Sequence, residues 1–217
     1  MAEKNTTKTP QTKQEIWKRM LRAARLLSIY TVIGVGLLLL VKQLTDKPIQ
    51  TAEKQVLQET INQLLASKEY DNALLNDTIQ VTAPAYLNTN DPVTVYRARK
   101  NGQPVALILI THAPDGYNGD IKIMLAVYED GRIAGVRVLK HKETPGLGDK
   151  IELKKSNWIL GFNGVKLRDD NANLWAVRKD GGGFDQFTGA TITPRAVIKA
   201  VKNALQFVQE KGAKLYE

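Results

Sequence analysis

Apolar residues are spaced in three different ways along this chain, and each spacing predicts a different element. From Leu26 to Val41 the sequence reads Leu-Leu-Ser-Ile-Tyr-Thr-Val-Ile-Gly-Val-Gly-Leu-Leu-Leu-Leu-Val without a charge. Ala23, Ala24 and Leu44 lengthen this run, and Arg25 and Lys42 can snorkel to the interfaces, so it predicts one membrane-spanning helix over residues 26–44. From Glu53 to Ser67 the spacing changes: Leu57, Ile61, Leu64 and Leu65 share one stripe, the mark of a helix packed on a domain. Further on the period shortens to that of strands. Val93 to Lys100 and Pro104 to Thr111 flank Asn101-Gly102, a strong hairpin signal, and Ile121 to Tyr128 and Ile133 to Leu139 flank Asp130-Gly131. The run Val105 to Ile110 suits a strand buried on both faces, and Leu174 to Arg178 predicts one more short strand before the break at Gly181-Gly182-Gly183. At the end, helical spacing returns with Val197, Val201, Ala204, Leu205 and Val208; Thr193 is read as the N-cap and Pro194 as the first helical residue.

These elements define an α+β chain: one N-terminal transmembrane helix, then a domain with an antiparallel sheet flanked by helices. The expected organisation is a basic leader over 1–25, the span over 26–44, a helical and linker segment over 45–92 and the main domain over 93–217.

Charge refines this picture. Of the formal net charge of +9, +5 falls in the first 25 residues, immediately before the apolar run. That is the pattern of a topology signal rather than of a nucleic-acid groove, and no nucleic-acid motif accompanies it. No small-x-small cleavage site closely follows Val41, so the run reads as a retained anchor in the lipid bilayer rather than a signal peptide. The leader is then cytoplasmic and residues after about 45 face outward, which in a Gram-negative cell means the inner membrane and the periplasm. The sequence has no cysteine and two histidines, His112 and His141, which removes disulfides, thiolate metal sites and cysteine-ligated clusters. A metal site is not expected, nor is a catalytic residue, since neither a triad nor a phosphate loop of the Walker kind is found. His141 reads as a solvated loop residue.

The chemistry concentrates in Asp185-Gln186-Phe187-Thr188-Gly189-Ala190-Thr191, which runs directly into the last helix. Gly189 and Ala190 leave the backbone open beside the Thr191 hydroxyl, and the free N–H groups of a helix start favour an anion there. The same residues also describe a plain glycine turn before an ordinary capped helix. Upstream, Glu143-Thr144-Pro145-Gly146-Leu147-Gly148 must be a loop, because Pro145 and two glycines continue neither neighbouring pattern. Trp158, Trp175 and Tyr117 offer aromatic faces, but each reads first as a core or rim residue.

The stretch Asp185 to Thr191 resembles the Asp-x-x-Ser/Thr-Gly-Ala-Thr signature of the FMN-binding domain family, and Glu143 to Gly148 resembles that family's second element. Together with a single N-terminal span and this length, the chain is similar to the G subunits of Rnf electron transport complexes. The resemblance implies FMN joined through a phosphoester to Thr191, with Thr188, Gly189 and Ala190 forming the immediate loop. It also implies that Asp185 belongs to the sequence read by a flavin transferase. Glu143, Thr144, Gly146, Leu147 and Gly148 are implied to approach the cofactor. The implied partners are that transferase and the other members of the complex, which pass electrons between ferredoxin and NAD while translocating an ion. A flavin carries its own redox chemistry, so such a protein needs no acid, base or nucleophile of its own. The C subunits of sodium-translocating NADH:quinone reductases, with the same attachment chemistry, and a cofactor-free membrane scaffold are the alternative readings.

Overall fold

The computed structural model describes residues 13–216; residues 1–12 of the basic leader and Glu217 lie outside the described residues. The chain divides into two compact units, Met1–Gln55 and Val56–Glu217.

Helix α1, Lys13–Leu64, contains both the predicted span and most of the predicted amphipathic helix as one element with Pro48 inside it. A proline removes one intrahelical hydrogen bond but keeps a helical φ, and the helix-forming residues on either side carry the element through. Among the described residues of the first unit, the apolar side chains of the span are exposed: Leu27, Tyr30, Val32 and Leu38 are each 71% exposed. The helix is long and apolar enough to cross a membrane, and uncovered apolar side chains over such a length suit an apolar solvent.

The second unit is built on a five-stranded antiparallel meander. Its strands are β1 (Thr78–Val81), β2 (Val93–Lys100), β3 (Gln103–Ala113), β4 (Ile121–Tyr128) and β5 (Ile133–Lys140), paired in sequence order. Asn101 and Gly102 both have positive φ, 51° and 76°, as a two-residue primed turn requires. Helices α2 (Pro84–Leu87) and α3 (Ile192–Lys211) complete the fold. Both faces of β3 are buried, as its continuous apolar run predicts. Leu107 and Leu109 join Val197, Val201 and Leu205 of α3 in one core, while Ala106 and Ile108 join Ile61, Leu64 and Leu65 in another.

Three expectations are corrected. Strand β1 lies inside the segment read as helix and linker; the alternation of Thr78-Ile79-Gln80-Val81 is only four residues long, and the strand is an edge strand fixed by pairing with β2. Leu174 to Arg178 forms no strand: Val177 makes a single bridge to Phe184, and the flanking residues turn as short 3-10 helices. Side chains here are buried singly, in an aromatic cluster where Phe162 stacks on Phe184 at 4.6 Å and Trp158 meets Phe187 edge-on at 5.1 Å. Finally, α3 starts at Ile192, with Thr191 as its N-cap, so Thr193 and Pro194 lie inside its first turn. Thr193 does not cap because its hydroxyl is engaged elsewhere, as described below.

One charged clamp secures the edge of the sheet. Asp77 receives Arg97 Nε at 2.6 Å and Arg99 Nε at 3.0 Å, and the same arginines reach the carbonyls of Leu215 (3.4 Å) and Tyr216 (2.6 Å). Burial opposes ionisation of Asp77, but hydrogen bonds and charge from Arg97 and Arg99 outweigh it and hold the carboxyl below its usual range. A depressed carboxylate contributes stability that is present above its unfolded pKa, about 3.9, and lost as pH falls through the folded value. Asp77→Asn is therefore expected to lower Tm at pH 7. Melting curves against pH should show the gap to the parent narrowing below about pH 4.

Candidate functional site

The loop before α3 is shaped by its own residues. Phe187 is buried in the aromatic core, and its carbonyl accepts the Ala190 N–H at 3.1 Å, closing a tight turn over Thr188 and Gly189. Gly189 sits at φ +79°, where a turn of this kind needs glycine. The turn delivers Ala190 and Thr191 onto the start of α3. There the N–H groups of Ile192 and Thr193 precede the first intrahelical bond, made by Arg195 N–H to the Thr191 carbonyl at 3.4 Å. The Arg195 guanidinium forks onto Asp180 at 2.6 and 2.7 Å and holds that carboxyl below its usual range. It thereby ties the helix start to the turn preceding the loop.

The second loop meets the first. A cleft of about 300 Å³ is lined by Tyr117, Glu143, Thr144, Leu147, Gly148, Gly189, Ala190, Thr191, Ile192 and Thr193. Two segments more than forty residues apart thus form one site. Its centre is Glu143, only 4% exposed. One carboxylate oxygen accepts the Asn118 N–H at 3.1 Å; the other accepts the Thr193 hydroxyl in a short hydrogen bond. Asn118 Nδ2 also donates to Thr144 Oγ1 at 3.2 Å. The Glu143 N–H donates to His141 Nδ1 at 3.0 Å, which leaves the His141 Nε2 proton to donate to Glu152 at 2.6 Å. Three segments therefore converge on one carboxylate: the 115–120 turn, the 141–148 loop and the first turn of α3. Both oxygens accept, so the carboxylate is satisfied without a cation partner.

Of the residues singled out in the sequence, Thr191, Gly189, Ala190, Glu143, Thr144, Leu147 and Gly148 line this cleft. Thr188, Asp185 and Gly146 do not. Thr188 is exposed at the tip of the tight turn. Asp185 pairs with Arg178 at 3.0 Å beside a separate groove with Trp158 and Trp175. Gly146 has φ +78° and open space around it. Gly148 is the crowded one: a Cβ there would stand 2.8 Å from both Glu143 Oε2 and Thr193 Oγ1. Among the three aromatics, Tyr117 lines the cleft and is 66% exposed, Trp175 is buried in the core, and Trp158 donates its indole N–H to the Asp185 carbonyl at 2.7 Å. Asn118, Ile192 and Thr193 were not foreseen as site residues. Their placement depends on long-range packing, and only the adjacency of Ile192 and Thr193 to the threonine motif marked them.

The cleft has the features an FMN group needs. Helix N–H groups and a free hydroxyl converge on a place for phosphate, and Tyr117, Leu147 and Ile192 offer exposed apolar surface beside it. Fold and site together define an FMN-binding domain, and residues 116–206 match the family model of that description. Residues 11–64 match the model of the RnfG N-terminal region. Among the G subunits of ion-translocating oxidoreductase complexes, that of Pseudoalteromonas atlantica is 48% identical over 184 residues, covering 85% of this chain and 86% of the relative. The proteins of the same description from Vibrio cholerae and Pseudomonas aeruginosa are 47% and 46% identical, covering 88% and 91% of this chain and 91% and 92% of theirs. The chain belongs to this family, the G subunits of ion-translocating oxidoreductase complexes. These matches favour it over the C subunits of sodium-translocating NADH:quinone reductases.

Proposed function

We propose that this chain is the flavoprotein electron carrier of a membrane-bound, ion-translocating oxidoreductase complex, with FMN carried covalently on Thr191. The observation that carries this reading is the meeting of the Gly189–Thr191 loop, the Glu143–Gly148 loop and the start of α3 around one cleft. The Thr191 hydroxyl forms the phosphoester when a flavin transferase supplies FMN from FAD: the new Thr191 Oγ–P bond replaces the pyrophosphate bond, AMP leaves, and the hydroxyl proton is released. The helix N–H groups of Ile192 and Thr193 favour the resulting phosphoryl charge. Glu143 positions the two loops, and Tyr117, Leu147 and Ile192 supply apolar contact for the ring. Asp185 and Thr188, exposed and outside the cleft, suit recognition by the transferase better than contact with bound FMN. The flavin supplies the one-electron chemistry, while the other members of the complex supply ferredoxin and NAD chemistry and the ion path. Intact mass of the purified chain tests this directly: one FMN, retained after denaturation, is expected. An unmodified mass from cells that contain the transferase would refute covalent attachment.

The basic leader and the uncovered apolar part of α1 support an inner-membrane anchor with a cytoplasmic N-terminus and a periplasmic domain. A reporter fused after Glu217 is expected to be active only if it is of the periplasmic type. Activity from a cytoplasm-only reporter would reverse the orientation.

A further inference from the structure

A row of basic side chains crosses three strands beside the cleft. In the register of the sheet His112 lies opposite Lys122, and Lys122 lies opposite Lys140. Cross-strand partners share a face, and like charges placed directly opposite one another destabilise a sheet. Lys142 continues the row past the end of β5. With His141 and Asn118 these residues line a concavity of about 380 Å³. Among the described residues, none of the three lysine side chains makes an ion pair or hydrogen bond. The histidines, by contrast, are engaged, His112 with Asp120 at 2.8 Å and His141 with Glu152 at 2.6 Å.

The concavity and the cleft share a wall. Asn118, which lines the concavity, donates to Glu143 and Thr144, which line the cleft, and His141 accepts the Glu143 N–H. Whatever occupies the concavity therefore sits one residue layer from the site of the flavin. Electron transfer slows steeply with distance, so a carrier meets its partner at the surface nearest its cofactor.

We propose that the His112–Lys122–Lys140 row, with Lys142, is the docking surface for an acidic face of a neighbouring protein of the same complex; the proposal rests on the electron-carrier reading. Two features favour a protein partner over an anionic lipid surface. The site is concave, whereas a bilayer surface meets flat or convex protein. It also mixes signs, with Asp120, held by His112, and Glu152, held by His141, set beside the lysines, and such a pattern fixes the register of one partner instead of attracting any anion. The unpaired lysines are then left for carboxylates on the partner.

Amine-labelling by mass spectrometry tests this on the full-length chain carrying its FMN. Lys122, Lys140 and Lys142 should label readily when the chain stands alone in liposomes, with or without phosphatidylglycerol, and be protected in the intact complex. In the purified complex, Lys122→Gln/Lys140→Gln/Lys142→Gln should retain covalent FMN but wash off at lower NaCl, with flavin reduction slowed about ten-fold or more. The triple arginine variant should behave as the parent. Protection by phosphatidylglycerol alone would assign the row to lipid and overturn the proposal. So would equal labelling in the complex and alone, or a glutamine variant with parental salt resistance and flavin reduction. A parent lacking FMN would overturn the reading of the cleft and the docking proposal with it, a result distinct from failure of docking in a flavin-loaded chain.

Discussion

Thr191→Ala is expected to abolish covalent flavin while leaving the domain folded. Thr191 is the N-cap of α3, yet its side chain makes no capping hydrogen bond, so removing the hydroxyl takes away no bond from the folded state. Substitutions of this kind usually fall within about 0.5 kcal/mol. Thr193→Ala provides the opposite case. Thr193 is fully buried and donates to Glu143, so its loss leaves a buried carboxylate oxygen without its donor, at a cost of about 1 to 3 kcal/mol. The pair should therefore separate cleanly: Thr191→Ala colourless and stable, Thr193→Ala flavin-bearing and less stable. Denaturation-resistant fluorescence on a gel, with melting curves of both variants, reads the two properties at once. Fluorescence persisting in Thr191→Ala would move the attachment to another hydroxyl, with Thr188 the first to test.

The contrast between these two threonines shows what the sequence carried and what it did not. Both stand next to the helix start, and propensity favours Thr193 as the cap because Pro194 follows it. What decides otherwise is Glu143, fifty residues away, whose buried carboxylate takes the Thr193 hydroxyl and draws it inside the first turn. The strands of the two hairpins and the two-sided burial of β3 were legible because alternation, continuous apolar runs and the Asn101-Gly102 turn are local signals. Strand β1 was not, since a four-residue edge strand is specified mainly by its partner. The segment from His141 to Thr191 resisted assignment for a related reason: its shape comes from aromatic packing among Trp158, Phe162, Trp175, Phe184 and Phe187, with little regular backbone pairing. Of the ten residues that the motif resemblance singles out, seven line the cleft, and the resemblance does not distinguish Gly146, which faces open space, from Gly148, which does not.

That distinction yields the second large effect. Gly148→Ala is expected to disturb both stability and any flavin in the cleft, whereas Gly146→Ala should disturb stability alone. At Gly148 the added methyl group would lie 2.8 Å from Glu143 Oε2 and Thr193 Oγ1, closer than real contacts allow, and at a tight 3.0 Å from Glu143 Cβ. Relief requires Glu143 or Thr193 to shift, which strains the hydrogen bond joining the 141–148 loop to α3. Overpacking of a buried site typically costs about 1 to 3 kcal/mol, and here the strain falls on residues that line the cleft. At Gly146 nothing lies within 4 Å of a new Cβ, but φ +78° is left-handed, which costs an L-residue about 1 to 2 kcal/mol with no push on the cleft. Comparable losses in Tm are thus expected from different causes, and the flavin tells them apart. Absorption and fluorescence of the covalently loaded protein should shift in Gly148→Ala and match the parent in Gly146→Ala. A flavin spectrum altered by Gly146→Ala and untouched by Gly148→Ala would place the ring against the outer edge of the loop, away from the Glu143–Thr193 wall.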